Sequence, residues 1–183
     1  MRAVFLDRDG VLNEAVARPG VPFGNPRSLD ELRIAPGAAA ALQRLADAGF
    51  LLLGVTNQPE VPRGTTSRES VEAINGRLLA ELPLHAFFVC WHDDADACVC
   101  RKPKPGLILD AVHQYGIDTG ASFMVGDRWK DIEAGRAAGC RTVLLDQGWA
   151  EMDGRPAPDA TVGSLVRAVD WILSQEGTSQ DRR

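Results

Sequence analysis

Met1-Arg2-Ala3-Val4-Phe5-Leu6-Asp7-Arg8-Asp9-Gly10 opens the chain, and its reading decides the fold. Ala3 to Leu6 is an apolar run with no polar alternation, which fits a strand buried on both faces. The run stops in Asp7 and Asp9, one residue apart, and then Gly10. Ligands of an open parallel sheet bind outside the carboxyl ends of its strands. Both aspartates are therefore expected at a mouth where charge meets a metal and a substrate. Two close carboxylates repel each other unless a cation or a proton intervenes, and Gly10 lets the chain turn away tightly. The same residues are also ordinary turn chemistry, or a fragment of a calcium loop. A helix-loop-helix calcium site needs a preceding helix and a closing glutamate, whereas this stretch follows a strand.

The 183 residues are 45% hydrophobic and 25% charged, a balance that supports one domain with its own core. Residues 1–175 are read as that domain and the polar residues 176–183 as a disordered tail. A formal net charge of −5 offers no general attraction for nucleic acid or an acidic membrane surface. An anionic substrate must then be drawn in by local positive groups or a metal. No apolar stretch of about 18 residues is present to span a bilayer. The amino terminus runs straight into the first strand without a signal peptide, so a cytoplasmic location is expected.

Residues 11–36 carry Pro19, Gly20, Pro22, Gly24, Asn25 and Pro26 and read as loop, a rim directly after the aspartate pair. Buried strands are expected at 50–55, 87–89, 122–125 and 141–145, with a short one at 160–162. Helices are expected over about 37–48, 67–82, 105–115, 129–138 and 163–173, the second started by Ser67. Alternating strands and helices predict an α/β fold: a three-layer, Rossmann-like parallel sheet with helices on both faces and no sizeable cap domain. Polar groups gather at the expected strand ends: Asp7 and Asp9, Thr56 and Asn57, Gly126 and Asp127.

Cys90-x-His92, five residues, then Cys98-x-Cys100 supplies four soft or borderline ligands. Three cysteines and a histidine make a closed tetrahedral set suited to structural Zn²⁺. Disulfides are the competing reading, though Cys98 and Cys100 are too close for easy bridging. Cys100 leads directly into Arg101 and Lys102, so fixing its thiolate fixes two cations at the rim. Cys140 stands apart and reads as a core residue.

Four motifs in order then resemble the haloacid dehalogenase superfamily of phosphohydrolases: Asp7-Arg-Asp9-Gly-Val-Leu, Val55-Thr56-Asn57-Gln58, Arg101-Lys102-Pro103-Lys-Pro-Gly106, and Gly126-Asp127-Arg-Trp-Lys-Asp131. The Asp-Arg-Asp-Gly opening, Thr-Asn-Gln and Cys-x-Cys-Arg-Lys-Pro resemble the small branch of heptose bisphosphate and histidinol-phosphate phosphatases, which carries the same zinc loop. The resemblance implies that Asp7 attacks phosphorus to give an aspartyl-phosphate. It implies that Asp9 is the acid and then the base, that Thr56 hydrogen-bonds the phosphoryl group, and that Lys102 holds it as a point charge. Mg²⁺ is expected on a carboxylate oxygen of Asp7, the backbone carbonyl of Asp9, and Asp127, with Asp131 orienting this shell or the lysine. Small proteins of this branch are often monomers, which implies the same here.

The expected substrate is a small phosphorylated metabolite, a sugar bisphosphate. Asn57, Arg63, Arg101 and Lys102 are read as its contacts, with Arg18 and Arg27 as further cations for a second phosphate. The five-residue spacer of the zinc loop resembles the histidinol-phosphate enzymes instead. Trp91, Pro59 and Pro62 depart from both patterns, on the substrate rim. A phospho-accepting signalling domain is the alternative of another class, but Asp9 favours turnover over stable phosphorylation.

Overall fold

The computed structural model describes residues 1–180. The chain runs through β1 (Ala3–Leu6), β2 (Val16–Arg18), β3 (Val21–Gly24), α1 (Ala38–Asp47), β4 (Leu51–Asn57), α2 (Arg68–Glu81) and β5 (Ala86–Cys90). It continues through α3 (Gly106–Tyr115), β6 (Phe123–Gly126), α4 (Trp129–Ala137), β7 (Arg141–Leu145), β8 (Ala160–Val162) and α5 (Leu165–Gln180). Six strands form one sheet in the order β5-β4-β1-β6-β7-β8, every neighbouring pair parallel.

The chain steps outward from β1 to β4 and β5, crosses back, and steps outward again through β6, β7 and β8. Right-handed crossovers then put α1 and α2 on one face and α3 and α4 on the other. β1 joins the two layers because its side chains alternate. Val4 and Leu6 pack with Leu42 and Leu45 of α1, Ile74 and Leu78 of α2, and Val169 and Ile172 of α5. Ala3 and Phe5 pack with Leu107, Ile108 and Ala111 of α3 and with Ala134 of α4. The direction of winding reverses between β1 and β6, and the crevice at that reversal is where such sheets bind ligands.

The rim differs from its reading as plain loop. β2 and β3 form an antiparallel hairpin over residues 16–24, with an irregular register between Val16 and Arg18. Pro19-Gly20 makes its turn, Pro19 supplying the fixed φ and Gly20 a φ of +75°. Strands of three and four residues, largely exposed and with Pro22 inside one, carry no hydrophobic period to read. At the other end α5 reaches Gln180 rather than closing near 173, so residues 176–180, expected as tail, extend the helix. The rest of that tail, 181–183, lies outside the described residues.

Candidate active site

Asp7 follows β1 and Asp127 follows β6, so the two stand on either side of the winding reversal. The Asp7 backbone N–H donates to the Val125 carbonyl at 3.0 Å, continuing the pairing of those strands to the site itself. Lys102 arrives from the loop after β5 and is buried. Its Nζ lies 2.6 Å from Asp7 Oδ1, 2.6 Å from Asp131 Oδ1 and 2.9 Å from the Val55 carbonyl. An ammonium has three protons, and all three are used. Asn57 fixes the lysine's backbone from both ends: its Nδ2 donates to the Lys102 carbonyl and its Oδ1 accepts from the Lys102 N–H, each at 3.0 Å. Asn57, read from sequence as a substrate contact, lines the cavity and also places Lys102 through both ends of its carboxamide.

Asp131 sits in the first turn of α4, where the helix dipole favours an acid. One oxygen takes Lys102 and the other accepts from the Arg128 N–H at 3.0 Å. Gly126 is obligatory here, since a Cβ would fall 2.1 Å from the Asp131 Cβ. Thr56 ends β4, buried, with its hydroxyl oxygen accepting from Gln58 Nε2 at 2.9 Å. The hydroxyl proton remains available for a ligand oxygen.

Asp9 is held by four donors: Arg8 Nε and NH2 at 3.1 and 3.0 Å, Asn13 Nδ2 at 3.1 Å, and Gln58 Nε2 at 3.0 Å. Arg8 has no exposed surface and is anchored in turn by Asn75 of α2 at 3.0 Å. A fully buried guanidinium needs such partners. Sequence reasoning gave Arg8 and Gln58 no role, although both stand inside quoted motifs.

Asp7, Asp127 and Asp131 bring carboxylate oxygens within 4.8 Å of one another. Burial raises the Asp7 carboxyl well above its ordinary range; Lys102 opposes this, and the neighbouring aspartates reinforce it. Burial, then Asp131, pushes Asp127 up to about 6 against its hydrogen bond from Trp149. The same burial pulls Lys102 down, but Asp131 and then Asp7 outweigh it and the lysine stays charged. Ionised together, the three carboxylates would exceed the one ammonium by two negative charges in a buried cluster. Asp127 Oδ1 is moreover buried without any partner. An all-oxygen donor set with an orphaned carboxylate oxygen and an excess of two charges fits a hard divalent cation such as Mg²⁺.

A cavity of about 270 Å³ opens over this cluster. Of the cations expected at its rim, Arg101 lines it, with Nε 2.7 Å from Asp94 Oδ1. Arg63 does not line it; its guanidinium faces Asp93, Nε to Oδ2 at 2.7 Å, and clasps the Cys/His loop. Arg18 is taken by Glu31, and neither it nor Arg27 reaches the cavity wall. Arg128 and Lys130 do line it, and were missed because the motif Gly126-Asp127-Arg-Trp-Lys-Asp131 was read only for its acids. The hairpin closes one side through Phe23, stacked on Trp149 with centroids 4.1 Å apart.

Cys90, His92, Cys98 and Cys100 converge as four free ligands at the end of β5. Cys100 Sγ lies 3.3 Å from Cys90 Sγ and 3.4 Å from Cys98 Sγ, and Cys90 and Cys98 are 3.7 Å apart. Tetrahedral Zn–S bonds of about 2.3 Å imply edges of about 3.8 Å, so the set is a slightly contracted tetrahedron. The backbone N–H of Arg101 donates to Cys98 Sγ at 3.4 Å, linking the cluster to the segment that carries Lys102.

Residues 99–168 match the family model described as HAD-hydrolase-like. Over 185 residues the chain is 33% identical to the D-glycero-beta-D-manno-heptose-1,7-bisphosphate 7-phosphatase of Haemophilus ducreyi, covering 93% of this chain and 98% of that protein. The chain belongs to this phosphatase family. A protein of the same name from Pasteurella multocida is 36% identical over 155 residues, 79% of this chain and 80% of its own. The crystal structure of a D,D-heptose 1,7-bisphosphate phosphatase from B. bronchiseptica, complexed with magnesium and phosphate, gives a TM-score of 0.81 at 29% identity, with 96% and 99% coverage. The protein is thus a phosphoric monoester hydrolase of the haloacid-dehalogenase-like class, with the short hairpin lining one side of the site.

Proposed function

We propose that this phosphatase removes the 7-phosphate of D-glycero-D-manno-heptose 1,7-bisphosphate, acting as a cytoplasmic monomer of one domain. The observation that carries the reading is Lys102 Nζ at 2.6 Å from both Asp7 and Asp131, at the winding reversal of the sheet. The substrates named for the Haemophilus ducreyi and B. bronchiseptica proteins support the choice of sugar bisphosphate.

Asp7 attacks phosphorus in line, and Lys102 holds its carboxylate and screens it from the incoming phosphate charge. Thr56 donates its free hydroxyl proton to a phosphoryl oxygen. Asp9, aimed by Arg8 and Gln58, protonates the leaving alcohol oxygen and then deprotonates the water that opens the aspartyl-phosphate. Asp131 keeps Lys102 charged and in place, and Asn57 holds its backbone. Mg²⁺ held by Asp7, Asp127 and the Asp9 carbonyl supplies neutralisation of the transferring group's charge. Arg101, Arg128 and Lys130 meet the second phosphate. Zn²⁺ on Cys90, His92, Cys98 and Cys100 is structural, a closed site that fixes the approach of Arg101 and Lys102.

The test is Mg²⁺-dependent phosphate release from both anomers of heptose 1,7-bisphosphate, from histidinol phosphate and from an aryl phosphate, with Asp7→Asn as control. Preference for the heptose is expected. Preference for histidinol phosphate would make the five-residue zinc-loop spacer the better guide to substrate. Stable phosphorylation without turnover would point to a signalling domain.

A further inference from the structure

Glu60 lines the catalytic cavity from the loop after β4, and its Oε2 is buried with no hydrogen-bond partner. A carboxylate oxygen removed from water and left unpaired is costly, and chains seldom retain one without a use for it. The cation three residues on, Arg63, turns instead to Asp93. Flexibility does not account for the position either. Pro59 and Pro62 restrict the loop's backbone, and the N–H groups of Thr65 and Thr66 close it onto the Glu60 carbonyl at 2.9 and 3.4 Å. A braced turn thus carries a half-buried side chain that lines the cavity, and its Oε2 has no protein donor.

The charges around the cavity are divided. Glu60 follows β4 and Arg101, paired with Asp94, follows the neighbouring β5, whereas Arg128 and Lys130 follow β6, and β1 separates β4 from β6. Two strand spacings put these flanks about 10 Å apart. An anionic group on the substrate is attracted toward Arg128 and Lys130 and repelled from Glu60. An unpaired carboxylate accepts from O–H or N–H donors, and a polyhydroxylated chain carries several O–H groups. We infer that Glu60 is a specificity-determining acceptor for hydroxyl groups on the alcohol half of the substrate, beyond the scissile ester. This rests on the sugar-phosphate reading above and adds that hydroxyls, as well as a second phosphate, are read by the site.

The experiment measures kcat and KM of wild type, Glu60→Ala and Glu60→Gln. The substrates are heptose 1,7-bisphosphate, fructose 1,6-bisphosphate, sorbitol 6-phosphate and p-nitrophenyl phosphate, the last lacking any sugar hydroxyl. Glu60→Ala is expected to raise KM for the hydroxylated esters about tenfold, the worth of one charge-assisted hydrogen bond. It should leave KM for p-nitrophenyl phosphate within about twofold of wild type, since the turn is braced through the Glu60 carbonyl and not its side chain. Glu60→Gln, which keeps an acceptor oxygen and the volume, recovers part of the loss. An equal change on all four esters, or no change on the hydroxylated ones, overturns the inference. Failure of wild type to prefer the heptose would overturn the proposed function alone, because the comparison of variants is still read on the other hydroxylated esters.

Discussion

The indole Nε1 of Trp149 donates to Asp127 Oδ2 over 2.7 Å, while Oδ1 of the same carboxylate is buried without a partner. One hydrogen bond therefore decides which oxygen Asp127 offers to a cation. The ring that makes it also carries Phe23, so the hairpin and the metal-facing acid are braced by a single side chain. Groups that orient a metal ligand typically contribute tenfold to a hundredfold in affinity.

Trp149→Phe keeps an aromatic surface for Phe23 and removes the donor. The Mg²⁺ concentration for half-maximal phosphate release should rise about tenfold, with little change in the saturated rate. Trp149→Ala should show the same rise and faster backbone amide exchange over residues 16–24, as the hairpin loses its stacking partner. An unchanged Mg²⁺ half-saturation in Trp149→Phe would detach the indole from metal binding.

Removing Lys102 leaves Asp7 and Asp131 facing each other in a buried site with no cation between them. Breaking a buried pair in this way costs about 3–5 kcal/mol. Lys102→Met should lose that much in urea unfolding with EDTA, less with Mg²⁺ present, and its turnover should fall about a thousandfold. Lys102→Arg should not restore turnover, because a planar fork cannot direct one compact charge at three converging acceptors. Full recovery by arginine would mean that only net charge matters there.

The parallel sheet and its polar strand ends are legible in the sequence because buried strands are short apolar runs that stop abruptly. Asp7, Thr56 and Asp127 can be found at those stops, whereas Lys102 and Asp131 are found only through the motifs that resemble the family. Which cation reaches the cavity is not legible, since that depends on where its acid partner stands: Arg101 is paired with Asp94 and still lines the wall. Arg63 goes to Asp93 and Arg18 to Glu31, partners 30 and 13 residues away, so neither serves the rim. Trp149 carries no motif and acts through a hairpin too short to announce itself. Glu60 reads as an ordinary loop acid until its oxygen is seen to be buried and unpaired.

The Cys/His cluster makes its own prediction through the Arg101 N–H on Cys98 Sγ. Metal analysis of the purified protein should find about one zinc per chain, the capacity of one closed tetrahedral site. Cys98→Ser with Cys100→Ser should release it and lower kcat/KM about tenfold or more, the scale of losing support around a catalytic group. The loss should fall on substrate binding and turnover together, because the segment carrying Arg101 and Lys102 loosens as one piece. Retention of both full activity and bound metal by the double variant would falsify the structural role.

Gly10 has a φ of +88°, and a Cβ built on it would stand 2.2 Å from Asp127 Oδ2 and 2.8 Å from Asp127 Cγ. Gly20 has a similar φ of +75° but open space around its would-be Cβ. The pair separates backbone strain from collision. Both alanine substitutions impose the left-handed conformation, at about 1–2 kcal/mol, visible as a lower urea midpoint. Gly10→Ala alone must also push the Asp127 carboxylate aside, breaking the Trp149 bond and spoiling the cation site. Its Mg²⁺-dependent activity should therefore collapse, while Gly20→Ala stays within about threefold of wild type, as expected of a surface turn that touches no functional group. Were the two variants equally active at saturating Mg²⁺, the close approach of Gly10 to Asp127 would have no catalytic meaning, and the glycine would be there for its turn alone.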